Sequence, residues 1–158
     1  MNVKLVGIDL AKHYFQVHGV DSNGKGVLKK KFTRKQFIEW LHNLQVCIVA
    51  MASCSGSQYW GKIARSLGHE VRIIPSQFVK PFLKSQKNDA NDAEAIAEAA
   101  SRPSMRFASL KETWQQEIQS LHRVRQRLIH NQIAPTQSVK SDPRRARNNH
   151  EYGACGFK

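Results

Sequence analysis

Acidic residues are scarce in this chain. Twelve Asp and Glu face 25 Lys and Arg over 158 residues, giving a formal charge of +13 and a pI near 10.1. That excludes an acidic, solvating protein and makes a polyanion, nucleic acid first, the expected partner. Cysteine is scarce too: Cys47, Cys54 and Cys155 are odd in number and widely spaced. They offer no disulfide framework, so a reducing cytoplasm is the expected compartment. No Cys-x-x-Cys and no His-Glu-x-x-His occurs, which argues against a zinc site. No apolar run reaches the roughly 20 residues of a membrane span, and the opening Met-Asn-Val-Lys turns polar too soon for a signal peptide. A membrane is therefore not an expected partner. What is present is 41% hydrophobic and 23% charged residues, enough for one core of ordinary size.

The basic excess is spread along the chain. Residues 1–110 carry 16 Lys/Arg against 8 Asp/Glu, and residues 111–158 carry 9 against 4. Local clusters stand at Lys29-Lys30-Lys31, Arg34-Lys35, Arg123/Arg125/Arg127 and Arg144-Arg145-Ala146-Arg147. Any one of them could be a solvated face. A net charge this large nevertheless costs self-repulsion that a bound polyanion would offset.

Periodicity gives the element order. Val3–Leu10 is an apolar run that reads as a buried strand, and Tyr14–Val20 alternates as a second. Asp21-Ser-Asn-Gly24 is a turn signal before Val27–Phe32, the other arm of a hairpin. Thr33 is a good N-cap for a helix to Asn43 that carries Phe37, Trp40, Leu41 and Leu44. Val46–Met51 reads as a fourth strand. Ser55-Gly-Ser57 is expected to cap a helix ended by Gly68, and Val71–Ile74 is a fifth strand. Three strands followed by helix–strand–helix–strand predict a mixed five-stranded α/β sheet with flanking helices, the order of a ribonuclease H-like domain. Beyond it, Ser76–Ser85 is short and interrupted by Pro81, Asp89–Ser101 is an alanine-rich helix, and Lys111–Ile133 is a long amphipathic one. Its apolar repeats are too few to establish a coiled coil. From Pro135 periodicity stops, and 135–158 reads as a disordered tail.

Because acids are few, their positions inform. Asp9 closes the first strand at the carboxyl end of the sheet, where α/β proteins bind ligands. Asp89 and Asp92, three apart, share one helix face. Three carboxylates able to converge suggest a hard-cation site for Mg²⁺ or Mn²⁺. Capping and the helix dipole are the plainer account of Asp89 and Asp92 alone. Asp9 has no such plain account, since a carboxylate at the end of a buried strand is costly without a partner.

These residues belong to a wider series of landmarks. Gly7-Ile8-Asp9-Leu10-Ala11-Lys12 comes first, then Met51 with Cys54-Ser55-Gly56-Ser57 and Tyr59-Trp60, then Gly68-His69 and Ile74-Pro75. Phe78-Val79-Lys80-Pro81-Phe82, the stretch from Lys87 to Ile96, and Arg102-Pro103 continue the series. Over about residues 3–133 the sequence resembles the N-terminal half of the DEDD-type transposases of the insertion sequence 110 family, relatives of Piv-type DNA invertases. The resemblance implies a RuvC-like catalytic domain over 1–110 that cuts and transfers DNA strands with Mg²⁺ or Mn²⁺. It also implies DNA partners at insertion-sequence ends and targets, in some members a structured guide RNA, and a homo-oligomer in a bacterial cytoplasm. By position, Asp9 matches the first acid and Asp89 and Asp92 the third and fourth, as catalytic and metal-ligating residues. The place of the second acid holds Ala52. Glu94 or Glu98 is the nearest substitute.

Nucleic-acid contacts are expected from Lys12, Lys80, Lys84 and Lys87, and from Arg123, Arg125 and Arg127 on the 111–134 helix. The family continues into a second domain bearing a nucleophilic serine, whereas here the pattern is lost near Ala134–Gln137. The resemblance therefore implies a truncated, catalytically defective transposase whose 135–158 tail reads as translation in another frame. Two alternatives stand: a non-catalytic nucleic-acid-binding module, and a nucleotide-binding domain of the actin and sugar-kinase type. Against the last, no later Gly-rich phosphate motif follows the Gly-Ile-Asp opening.

Overall fold

The fold is taken from a computed structural model of the chain. It describes residues 3–83 and 89–140, the side chains of 89, 90 and 134–140 excepted. The chain divides into two compact units at Leu110/Lys111.

The first unit is built on a five-stranded sheet in the order β3-β2-β1-β4-β5. Its strands are β1 Leu5–Leu10, β2 Tyr14–Val20, β3 Gly26–Thr33, β4 Ile48–Ala52 and β5 Glu70–Ile74. The first three form an antiparallel meander, and β4 and β5 add parallel to β1. That mixed topology is the ribonuclease H-like arrangement expected from the element order. Asp21 fixes the hairpin turn, its Oδ1 accepting from the N–H groups of Asn23 and Lys25 at 2.8 and 2.9 Å. Gly24 takes the positive φ of 77° that the turn requires.

Helices α1 (Arg34–His42) and α2 (Ser57–Ser66) cover one face. Thr33 caps α1 as expected, in a capping box with Gln36. The cap of α2 differs from expectation. Gly56 is its N-cap and no side chain caps it; the buried Ser57 hydroxyl instead donates to the carbonyl of Cys54 at 2.9 Å. Local serine chemistry closed the preceding turn rather than the helix end. The fourth strand also starts later than its apolar run. Val46 is 72% exposed because pairing with β1 begins only at Ile48.

Under α1 and α2 three rings interlock edge to face: Phe15–Phe37 at 5.1 Å, Phe15–Trp60 at 5.0 Å and Phe37–Trp60 at 5.3 Å between centroids. Each such pair contributes about 0.5–1.5 kcal/mol beyond its burial. His69 stitches the same layer. Its Nδ1 accepts from the Cys47 backbone N–H at 3.3 Å and its Nε2 lies 3.4 Å from the Leu41 carbonyl. Burial pushes the neighbouring Cys47 thiol up to about 11.

The other face is covered by α4 (Asp89–Ser101), which follows the short helix α3 (Ser76–Val79) and a 3-10 turn at Lys80–Phe82. Alanines dominate this layer: Ala50 of the sheet meets Ala95, Ala97, Ala99 and Ala100 around Leu5, Ile74 and Ile96.

The second unit is α5, Thr113–Lys140. It runs through Pro135, so helix occupies 135–140, where the sequence reads as the start of the tail. Trp114, Ile118, Leu121, Val124 and Leu128 of α5 are exposed, as are Arg123, Arg125 and Arg127. The rest of the expected tail, 141–158, lies outside the described residues. No helix among the described residues is long and apolar enough to cross a membrane.

Candidate functional site

The carboxyl edge of the sheet is positioned by how closely α4 approaches β1. The contact is at Gly7. A Cβ there would collide with the Ala93 carbonyl and lie 2.6 Å from the Ala97 nitrogen. Only a residue without a side chain permits that approach, so the glycine sets the height of the helix above the sheet. Arg72 of β5 fixes the far end of α4, donating from Nη1 to the Ala100 carbonyl at 2.8 Å while its Nε bonds Glu70 at 2.8 Å. The first satisfies a carbonyl that the end of a helix leaves without an internal partner.

The direction of α4 follows from its neighbours. Ser101 and Arg102 line a cavity of about 420 Å³ with Val20, Gly24 and Gly26, at the amino end of β1. The helix therefore runs antiparallel to β1, and its first turn, with Asp89 and Asp92, lies toward the edge where β1 ends. Asp92 is half-buried directly before the buried Ala93, one turn ahead of the sheet-facing Ile96.

Asp9 sits two residues beyond Gly7, on the face that Gly7 presents to α4, and is half-buried. The β1–β4 register pairs Ile8 with Met51. Its next step sets Asp9 beside Ala52, which packs on the same face, about 4.8 Å away by strand spacing. Behind Ala52 the Ser53 N–H donates to the Ile74 carbonyl at 2.7 Å, and the Ser76 hydroxyl donates to the Ser53 carbonyl at 3.1 Å. Two hydrogen bonds thus hold the chain where it leaves β4 beside Ala52.

The remaining expected residues divide. Lys12 and His13 are exposed just past β1, at the acidic edge. Lys80 is exposed in the 3-10 turn whose Phe82 ring lies 5.7 Å from the Arg102 guanidinium. Lys84 and Lys87 lie outside the described residues. Glu94 and Glu98 lie elsewhere on α4. Both line the cavity near the hairpin turn with His18, and Glu98 pairs with Arg102 at 2.7 Å. Each lies further along α4 than Asp92, away from the edge. Among the described residues no three His, Cys, Asp or Glu side chains gather to hold a metal, and the side chain of Asp89 is not among them.

Two features escaped the sequence. Gly7 is visible as a landmark, but its role needs the helix in place. The register running from Asp9 through Gln16 to Lys31 needs the strand pairing.

The model of the DEDD-type transposase family of insertion sequence 110, described as "Transposase", matches residues 6–141. A probable family 20 transposase of Pseudomonas aeruginosa is 49% identical over 140 residues, 89% of this chain and 41% of that protein. The transposase for insertion sequence element IS1328 of Yersinia enterocolitica is 45% identical over 138 residues, 87% of this chain and 41% of that protein. For the transposase of insertion sequence element IS1111A of Coxiella burnetii the identity is 40% over 139 residues, covering 88% and 38%. The chain spans about two fifths of the length of these relatives. Fold and matched segment agree, and the chain belongs to the DEDD-type transposases of the insertion sequence 110 family.

Proposed function

We propose that residues 3–110 are the DNA-binding, divalent-metal nuclease module of an insertion-sequence transposase, silenced in strand cleavage by Ala52. The observation that carries this reading is the edge itself. Asp9, next to the last residue of β1, lies beside Ala52, and Gly7 brings the acidic first turn of α4 toward the same place.

The donor set fits a hard cation in kind. Asp9, Asp89 and Asp92 are the carboxylates that would hold Mg²⁺ or Mn²⁺. In such sites paired ions activate the attacking oxygen and stabilise the leaving oxygen of a phosphodiester. The chain's own residues do the remainder. The bulk of the sheet and α4 holds the carboxylates in place, and Lys12 offsets the charge of a phosphate brought to the edge. Ala52 contributes no oxygen at the position beside Asp9, so charge compensation is short by one carboxylate. Loss of such electrostatic support costs orders of magnitude in rate.

The same observation favours a second reading: a module that keeps DNA contact without cleavage. One experiment decides between them. The full chain and its Ala52→Glu variant are incubated with supercoiled plasmid in Mg²⁺, in Mn²⁺ and in EDTA. Metal-dependent nicking by the variant, with none by the parent, supports a silenced nuclease. Binding without nicking in both supports the non-catalytic module. Equal nicking by both would remove Ala52 as the cause of silence.

A further inference from the structure

Beyond the acidic edge, one face of the β2–β3 hairpin continues it with the opposite charge. Asp9 pairs across β1–β2 with Gln16, and Gln16 pairs across β2–β3 with Lys31. Residues in one cross-strand row share a face, so Asp9, Gln16 and Lys31 form a line from the acidic edge to the last strand. Two interstrand steps separate Lys31 from Asp9, roughly 9.5 Å. Next along the same face is Tyr14, 47% exposed, with the Lys31 ammonium 4.4 Å from its ring centroid. The ring holds the ammonium over the sheet, where it is partly preorganised for a ligand.

Within the hairpin's own sequence the charge is one-sided, and Glu94 and Glu98 of α4 lie toward its turn, beside His18, away from Lys31. Residues 11–35 hold seven Lys and Arg against one acid, Asp21, and none follows until Glu39. Asp21 is spent on the turn at the opposite end of the hairpin. Lysine on an edge strand also discourages edge-to-edge pairing. That role needs no aromatic platform and no alignment with Asp9, and Lys31 has both.

We infer that Lys31, carried on Tyr14 and flanked by Gln16, is a phosphate-contacting residue that positions duplex DNA against the Asp9 edge. DNA is the occupant because the row joins a basic face to the acids proposed to act on a phosphodiester. The inference therefore rests on the functional reading above. In duplex DNA each strand presents a phosphate about every 3.4 Å along the axis. A separation of roughly 9.5 Å is therefore within reach of a neighbouring phosphate on the same duplex.

The test is equilibrium binding of the full chain to a labelled duplex, followed by anisotropy across a salt series in EDTA. Metal is absent, so Ala52 has no bearing on the result. Lys31→Gln is expected to weaken binding several-fold and to lower the slope of log K against log salt by about 0.9, one phosphate contact. Lys31→Arg is expected to keep the slope, and Lys25→Gln, at the far turn, to keep both slope and affinity. Both sites are exposed, and thermal melts of the variants are expected to match the parent. Unchanged binding in Lys31→Gln, or an equal loss in Lys25→Gln, overturns the inference and leaves the nuclease reading standing. A parent chain that binds no duplex overturns both. Loss confined to a structured RNA probe, with duplex binding intact, overturns the assignment to DNA.

Discussion

The two faces of the sheet are built from opposite materials. Under α1 and α2 the layer is aromatic, with Phe15, Phe37 and Trp60 in mutual edge-to-face contact. Under α4 it is alanine and glycine, thin enough that the helix backbone touches the strand at Gly7. Large rings bury more area per residue and stabilise the fold. Small residues bury less but let a helix backbone be set at a fixed height. Stability is therefore concentrated on one face and placement on the other, and the acids are carried by the face that places.

That division can be broken from either side. Truncating the aromatic layer is expected to have the largest effect. Phe37→Ala should cost about 3–5 kcal/mol in urea denaturation, since the ring is fully buried. A loss under about 1 kcal/mol would show that this layer does not anchor the fold. On the placing face, Gly7→Ala adds one methyl against the backbone of α4. Its expected cost is about 3 kcal/mol, localised as lost amide-exchange protection in α4 while β1–β3 stays protected. Uniform loss across both faces would mean that they are one cooperative layer, not two.

A smaller effect sharpens the comparison by pH. The Cys47 thiol, in the aromatic layer, is raised from 9.0 to about 11 by burial. Burial favours its neutral form, so the stabilisation is complete below about pH 9 and is lost as pH rises toward 11. Stability should fall across that window by on the order of 1–2 kcal/mol, after discounting for partial solvation. Cys47→Val should remove that fall. The exposed Cys54 should react with a thiol reagent at neutral pH while Cys47 does not. A fall of equal size in the variant would assign the alkaline loss elsewhere.

Much of the frame was legible in the sequence because it follows local rules. Alternation marked β2, the Thr33–Gln36 box marked the start of α1, and Gly68, with its positive φ of 89°, marked the turn after α2. Asp9 was legible as the end of a buried strand. What differed was decided by the partners each group found in the fold. Val46 lies outside β4 because β1 offers no partner there, and Ser57 bonds Cys54 rather than capping α2. Arg72 reads as one more surface cation until its bond to the Ala100 carbonyl appears. Glu94 and Glu98 share a helix with Asp92, but only the helix direction shows that they sit toward the hairpin turn.

The central claim is that Asp9, Asp89, Asp92 and position 52 share one divalent-cation site. Calorimetric titration of Mn²⁺ into the full chain tests it without reference to cleavage. The expected result is weak binding by the parent and at least tenfold tighter binding by Ala52→Glu, about 1.4 kcal/mol. Adding Asp9→Asn to that variant should abolish the gain. Equal affinity in the parent and Ala52→Glu, or a gain that survives Asp9→Asn, would contradict the claim.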